Sequence, residues 1–388
     1  MDYDVVVVGA GPGGSMTART LAQEGASVLM VEKRPEIGMP VRCGEGTGVA
    51  GLKELGITPH PKFIAQEIYG DYLYSPDGTK VDMRTEEPNG YCLERRMFDK
   101  HLGILAAKAG AVVRTRTTAT GLITENGTVK GVKLRHFDDE YDVKCNVVVG
   151  ADGIEGRVGR WAGISNRTKL GEMTSNVQFE LVGIEMEEPN VLEFYLGGKY
   201  APGGYVWIFP KGPDVANVGL GIRKTKETAL VYLKRFIAEH ENLARGSVAS
   251  IVVGGVPVQG PLEESVGNGV LLVGDSARHV DPLTGGGIYN AMHCGTLAAG
   301  VIGEALAAGN FSKEFLQKYH ELWWKEVGEG LMRSLRVKEI IEKLSDDDLN
   351  KIAKFMQGMK FGEIDIKEAS SIVTQFPPEF AEFVQSLL

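Results

Sequence analysis

The stretch Asp4 to Glu32, DVVVVGAGPGGSMTARTLAQEGASVLMVE, decides the fold. An apolar run at Val5 to Val8 leads into glycines at 9, 11 and 14 in a G-x-G-x-x-G pattern. A helical span from Ser15 to about Gln23 and a second apolar run ending in Glu32 follow. This order predicts strand, tight turn, helix and strand, with an acid about twenty residues past the glycines. Gly9 permits the turn, Gly11 lets the backbone approach a pyrophosphate, Gly13 lies in the same loop, and Gly14 lets the helix lie close on the sheet. A pyrophosphate there would meet the free N–H groups and the positive end of the helix dipole. Glu32 would accept hydrogen bonds from a ribose, and a carboxylate there disfavours a 2′-phosphate. FAD or NAD therefore fits this site better than NADP.

The 388-residue chain is too long for one small core and predicts two closely joined domains. Its 43% hydrophobic and 24% charged content is that of a soluble globular protein. A net charge of −9 carries no basic footprint, so no nucleic-acid partner is expected. The cysteines at 43, 92, 145 and 294 form no C-x-x-C or Cys/His cluster. Neither a metal site nor a disulfide framework is expected, and reduced thiols point to a cytoplasmic setting. The first strand starts almost at Met1, leaving no room for a signal peptide. No apolar run reaches the roughly 18 residues that span a bilayer, so any membrane contact is expected to be peripheral.

After Glu32, KRPEIGMPVRCGEGTG reads as a glycine-rich loop that brings Arg42, Cys43, Gly44, Glu45 and Gly46 near a nucleotide held by Glu32. Cys43 is either a functional thiol or a small filler in a tight loop. Alternating segments from about Ala65 to Met83 predict strands around a Ser75-Pro76-Asp77-Gly78 turn. LERRMFDKHLGILAAKAGA predicts a helix with Phe98, Leu102, Leu105 and Ala106 on one face. Arg95 and Arg96 stand at its start, where a cation gains nothing from the dipole. They are diphosphate ligands or solvated charges.

VVRTRTTATGLI, a Glu125-Asn126-Gly127 turn and VKGVKLRHF predict a hairpin returning to the first sheet. Val147 to Val149 then form a buried strand ending near Asp152-Gly153, which makes Asp152 a second candidate beside the cofactor. From about Gly171 to Gly255 aromatic-rich alternating strands and the helical TKETALVYLKRFIAEH mark the second domain. In YVWIFP, period two sets Tyr205, Trp207 and Phe209 on one face, as a core layer or one wall of an apolar cavity. A third strand, Val270 to Val273, ends at Gly274-Asp275, and Pro282 with Gly285-Gly286-Gly287 leads into a long helix. The last eighty or so residues are helical and amphipathic up to a Pro377-Pro378 break. Trp323 and Trp324 there either touch a membrane surface or cap the core.

Taken together, G-x-G-x-x-G with Glu32, Asp152-Gly153, and Gly274-Asp275 with Pro282 and the triple glycine resemble the para-hydroxybenzoate hydroxylase-like FAD flavoproteins. Within that group, P-x-x-C-G (Pro40 to Gly44) and Y-x-W-x-F-P (Tyr205 to Pro210) resemble the geranylgeranyl reductases, above all the archaeal branch that saturates digeranylgeranylglycerophospholipids. One departure is Gly156, where hydroxylases carry a serine in D-G-x-x-S. The resemblance implies an α/β fold. A Rossmann-type FAD-binding domain (1–65, 92–165 and 265–308) would carry an inserted mixed-sheet substrate domain (66–91 and 166–264), expected to be largely antiparallel, and a C-terminal helical region (309–388).

The same resemblance implies that FAD is held by Gly9, Gly11, Gly13, Gly14, Glu32, Arg42, Cys43, Gly44, Gly46, Arg95, Arg96, Ala119 and Asp152. It adds Asp275 on the ribityl chain and Gly286, Gly287 and Ile288 facing the ring. The implied reaction is hydride transfer from reduced FAD to an isolated alkene with protonation of the other carbon, and this requires a general acid. Cys43 is the first candidate, because an unperturbed thiol is mostly protonated at pH 7, and Tyr205 is the second. Trp207 and Phe209, with Tyr205, would line a channel for prenyl chains.

Electrons would come from NAD(P)H or reduced ferredoxin. The expected partners are a prenyl lipid, the membrane surface and ferredoxin. Two rival readings share the scaffold: a flavin monooxygenase or halogenase, because Y-x-W-x-F-P partly resembles W-x-W-x-I-P, and a flavin-free prenyl-binding escort protein.

Overall fold

A computed structural model describes residues 1–165 and 167–357, in two compact units. The expected Pro377-Pro378 break lies outside the described residues. The first unit comprises Met1–Val41, Arg95–Lys169 and Gln259–Met332. The second comprises Arg42–Glu94, Leu170–Val258 and the described residues from Arg333 on. The loop from 42 thus groups with the aromatic sheet, because Gln178 and Asn217 donate to the Cys43 and Gly44 carbonyls, while Gly46–Gly48 pairs with Gly90–Leu93 in a separate three-stranded sheet. The C-terminal helices divide between the two units near residue 332.

The first unit is centred on a six-stranded sheet in the order 266–267, 270–272, 147–150, 5–8, 28–31, 112–114. All of its pairings are parallel except that of the short strand 266–267. A parallel sheet needs both faces covered, and the unbroken valines of Val5–Val8 and Val147–Val149 meet that need. Val5, Val7, Met30 and Val149 pack under helices, whereas Val6, Val8, Leu29 and Val31 pack against Val132 and Leu134 of the antiparallel sheet 117–125, 128–136, 139–144. The predicted hairpin therefore forms its own layer below the parallel sheet and does not extend it.

The first helix runs Pro12–Gln23, three residues earlier than expected. Gly11 is its N-cap, and Pro12 supplies a φ already suited to the first turn.

The 21-residue helix Ile288–Ala308 has the length and apolar composition to cross a membrane, yet half of its most apolar window is buried inside the protein. Its composition has a packing cause. Ala291, Cys294, Gly295, Ala298 and Ile302 are buried, and a Cβ at Gly295 would stand 2.5 Å from the Gly13 carbonyl oxygen. Small residues are what let the helix lie against Pro12–Gln23. Trp323 caps this core, fully buried with its Nε1–H donating to Ser265 Oγ at 2.9 Å, and Trp324 packs beside it.

The second unit holds a seven-stranded sheet in the order 247–254, 175–182, 215–222, 205–210, 192–196, 70–74, 80–84. It is mixed, because strands 192–196 and 70–74 run parallel and the other pairs antiparallel. One face is a core in which Val206 and Ile208 meet Leu233 and Phe236 of the helix Ala229–Glu239. Period two turns Tyr205, Trp207 and Phe209 to the other face, half-buried. They stand on the face opposite that core and are not part of it.

Candidate active site

In the first unit three distant loops meet. Gly9 has φ +107°, and a Cβ on it would stand 2.2 Å from the Ala151 carbonyl oxygen, so the first turn presses directly on the loop that carries Asp152. Gly14 is tighter still, at 2.0 Å from the Gly9 carbonyl oxygen. A Cβ on Gly13 would touch Val273 and the Ala291 backbone, which ties the first loop to the third. Gly11 alone has nothing within 4 Å of such a Cβ. Three of the glycines admit neighbouring protein, and Gly11 keeps space open at the helix N-terminus.

Beside this turn lies a cavity of about 220 Å³ lined by Glu32, Thr118, Ala119, Asp152, Gly153 and Trp161, among others. Its volume suits one end of a dinucleotide rather than the whole. Glu32 is preset, accepting from the Ala10 N–H at 3.2 Å and the Arg34 N–H at 2.9 Å. Asp152 Oδ2 accepts from Val158 N–H at 3.0 Å, while its buried Oδ1 has no partner among the described residues. Burial raises the Asp152 pKa, against the lowering effect of nearby backbone N–H groups. An orphaned carboxylate oxygen in a cavity beside Glu32 is what a ligand hydroxyl or amine would satisfy. Gly156, the departure from the serine pattern, has φ +50° and ψ +38°, a left-handed conformation that favours glycine over serine.

Asp275 follows the third strand, and a Cβ on Gly287 would sit 3.7 Å from its Oδ1. Burial pushes the Asp275 carboxyl up, and the Arg95 guanidinium works against it. Arg95 also pairs with Asp99 at 2.7 Å, whereas Arg96 pairs with Glu36 at 2.9 Å on the exposed surface.

Two residues that sequence reasoning missed shape this loop. Asp281 Oδ1 accepts from Leu283 and Thr284 N–H groups, and the buried His279 Nδ1 accepts from Gly274 N–H at 3.1 Å. Burial holds His279 neutral, its pKa lowered to about 3. An acid four residues ahead of Gly285 was the available signal.

Cys43, Gly44 and Gly46 belong to the second unit, with the aromatic wall. A Cβ on either glycine would stand 2.9 Å from Phe209 Cε2, so both seat that ring. Gly219 does the same for Trp207, at 2.5 Å. Phe194, another residue missed, closes the wall, with its ring 5.6 Å from both Tyr205 and Phe209. Its cross-strand register opposite Trp207 accounts for that placement. Arg42 is exposed, lying against Gly254.

Trp207 Nε1–H donates to Gln178 Oε1 at 2.8 Å, and Gln178 Nε2 donates to the Cys43 carbonyl at 3.1 Å. Asn217 Nδ2 donates to the Gly44 carbonyl at 3.2 Å and to Glu45 Oε2 at 2.7 Å. Glu45 is buried at φ +80°, a left-handed conformation that costs an L residue about 1–2 kcal/mol. Its N–H donates to Cys43 Sγ at 3.2 Å.

Lys211 Nζ lies 2.8 Å from Glu45, 2.8 Å from Glu94 and 3.1 Å from Glu180, with its side chain only 4% exposed. Burial works against this ammonium, but Glu45 and Glu94 outweigh it and hold its pKa above the usual lysine range. Removing one partner of such a buried pair costs about 3–5 kcal/mol. The lysine directly after Y-x-W-x-F-P was the only trace of this cluster in the sequence.

The fold is that of a Rossmann-type α/β oxidoreductase. Residues 172–256 match the geranylgeranyl reductase catalytic domain family, and residues 7–52 match the NAD(P)-binding Rossmann-like domain family. The chain is 45% identical, over 98% of its length and 97% of the relative's, to the digeranylgeranylglycerophospholipid reductase of Methanothrix thermoacetophila. It therefore belongs to the digeranylgeranylglycerophospholipid reductase family.

The crystal structure of a geranylgeranyl bacteriochlorophyll reductase-like protein from Thermoplasma acidophilum superposes with a TM-score of 0.92 at 40% identity, covering 99% of each chain. A flavin-dependent brominase triple mutant superposes with a TM-score of 0.74 at 19% identity, over 95% of this chain and 97% of that one, and so shares the fold.

Proposed function

We propose that this protein is an FAD-dependent reductase that hydrogenates isolated C=C bonds in the geranylgeranyl chains of digeranylgeranylglycerophospholipids, giving saturated phytanyl lipids. The observation that carries this reading is the full-length likeness to reductases of that name, which runs through both units. FAD fits the residues present: Gly11 leaves room for a pyrophosphate, and Glu32 and the orphaned Asp152 Oδ1 offer acceptors to a nucleoside. Gly286, Gly287 and Ile288 would face the ring, Asp275 the ribityl chain and Arg95 the phosphates. Reduced FAD, when bound, supplies the hydride and with it both electrons of the reduction.

The protein's own task is the proton. An isolated alkene has no carbonyl to polarise, so an acid must protonate one carbon as hydride reaches the other. Cys43 gives that proton and regains it from solvent, with Tyr205 as the alternative donor. Trp207 and Phe209 receive the prenyl chain on an apolar wall. NAD(P)H or reduced ferredoxin restores the electrons. The lipid is met by peripheral contact with the membrane from the cytoplasmic side.

The test is product mass. Photoreduced protein incubated with the lipid in the absence of oxygen should add two hydrogens per double bond. Product that forms only with oxygen, and carries oxygen or halogen, would transfer the assignment to a monooxygenase or halogenase. A colourless purified protein would favour an escort role.

A further inference from the structure

We propose that Lys211 is a positioning residue for Cys43: by pinning the Glu45 carboxylate it holds the left-handed turn that aims the Glu45 N–H at the thiol sulfur. This rests on the reading that Cys43 gives the proton. Glu45 is the outlier that motivates it, a buried L residue at φ +80°. Such a conformation persists only where its surroundings over-determine it. Here they do: Leu93 N–H donates to the Glu45 carbonyl at 2.8 Å, Asn217 holds the preceding carbonyl, and Lys211 and Asn217 share Glu45 Oε2.

Of these anchors only Lys211 carries charge. Without it Glu45 would be buried facing Glu94 and Glu180, and like charges would drive its side chain out and release the turn.

The chemistry at sulfur follows. A backbone N–H donated to Sγ and a nearby ammonium both favour ionisation of the thiol, whereas the carboxylates of Glu45, Glu94 and Glu180 oppose it. Among the described residues of this unit, the buried Cys92 thiol on strand Gly90–Leu93 also feels the charges of Glu45 and Lys211 and lies near Cys43, and Asp71 on strand Gly70–Tyr74 acts on Cys92 in turn. Lys211 therefore acts on Cys43 twice, once through the turn and once as the cation that offsets three carboxylates. Losing it should make the thiol harder to ionise and misdirect its proton.

The experiment is a pH titration of the Cys43 Cβ chemical shift in flavin-loaded protein carrying carbon-13-labelled cysteine, with Cys43→Ser to assign the signal. Lys211→Met should raise the midpoint by about one pH unit or more. Glu45→Gln keeps the N–H and an acceptor for Lys211 but removes one carboxylate, so it should lower the midpoint. If Lys211→Met does not fold, the sign of the Glu45→Gln shift decides: downward supports the proposal, and no shift or an upward one overturns it. Midpoints equal to wild type in both folded variants overturn it as well.

Failure of the catalytic reading looks different. Cys43→Ser reducing the lipid at the wild-type rate would remove the thiol from the reaction and leave the titration result standing.

Discussion

The nucleotide cradle of the first unit and the Cys43 corner of the second are built from different materials. The cradle is mostly backbone. Its shape is set by what glycines permit at 9, 13 and 14, and by the space kept at Gly11. The corner is mostly side chain, with Gln178 and Asn217 on neighbouring strands and Lys211 in the turn after Tyr205–Pro210 reaching to hold three consecutive residues. A backbone site tolerates no added atom, whereas a side-chain site tolerates no missing charge.

That contrast is best broken at its tightest point. Gly14→Val places atoms within van der Waals contact of the Gly9 carbonyl, and overpacking of this kind costs about 3 kcal/mol or more. It should yield protein with a lowered Tm and no yellow colour on purification. Next comes Cys43→Ser, for which loss of a general acid predicts about a 100-fold slower lipid-dependent reoxidation of reduced flavin at full flavin content. Stopped-flow absorbance reads this directly, and an unchanged rate would take Cys43 out of the mechanism.

Gly11→Ala sharpens the comparison from the other side. Its methyl meets no protein atom, so folding stability should hold within about 0.5 kcal/mol while flavin affinity, measured by fluorescence titration, falls about tenfold or more. Equal losses of stability and affinity would refute the idea that this glycine makes room for a ligand.

His279 is the exception in the backbone-built cradle, a side chain locking the Gly274 turn. Its folded pKa lies near 3, below an unfolded value of about 6.5, so the unfolded chain binds the extra proton between those limits. Its stabilising contribution is therefore complete above pH 6.5 and lost as pH falls toward 3. The Tm should decline with acidity in that window, and His279→Asn should flatten the decline. The smallest effect belongs to Arg96→Ala. Its exposed pair with Glu36 is screened by solvent and contributes little, so both Tm and flavin content should barely move.

What could be read from sequence follows the same division. The glycine spacing and Glu32 announce the cradle because backbone geometry restricts residue type locally. Asp152 and Asp275 are legible because an acid ending a buried strand needs a reason. The face of YVWIFP was predictable by period two, but whether it was core or wall depended on which face the helix Ala229–Glu239 covers, a tertiary fact. Glu45 sits in a loop already expected near the nucleotide, but its partnership with Lys211 and Asn217 was hidden, because each is an ordinary polar residue until the fold brings them within hydrogen-bond reach. The apolar composition of the helix Ile288–Ala308 is likewise a tertiary matter, explained by its close packing on Pro12–Gln23.

The decisive measurement mixes photoreduced protein with a digeranylgeranylglycerophospholipid under strict exclusion of oxygen and follows the flavin spectrum. Reoxidation in step with loss of lipid double bonds is the predicted result. A flavin that stays reduced until oxygen is admitted would contradict the account.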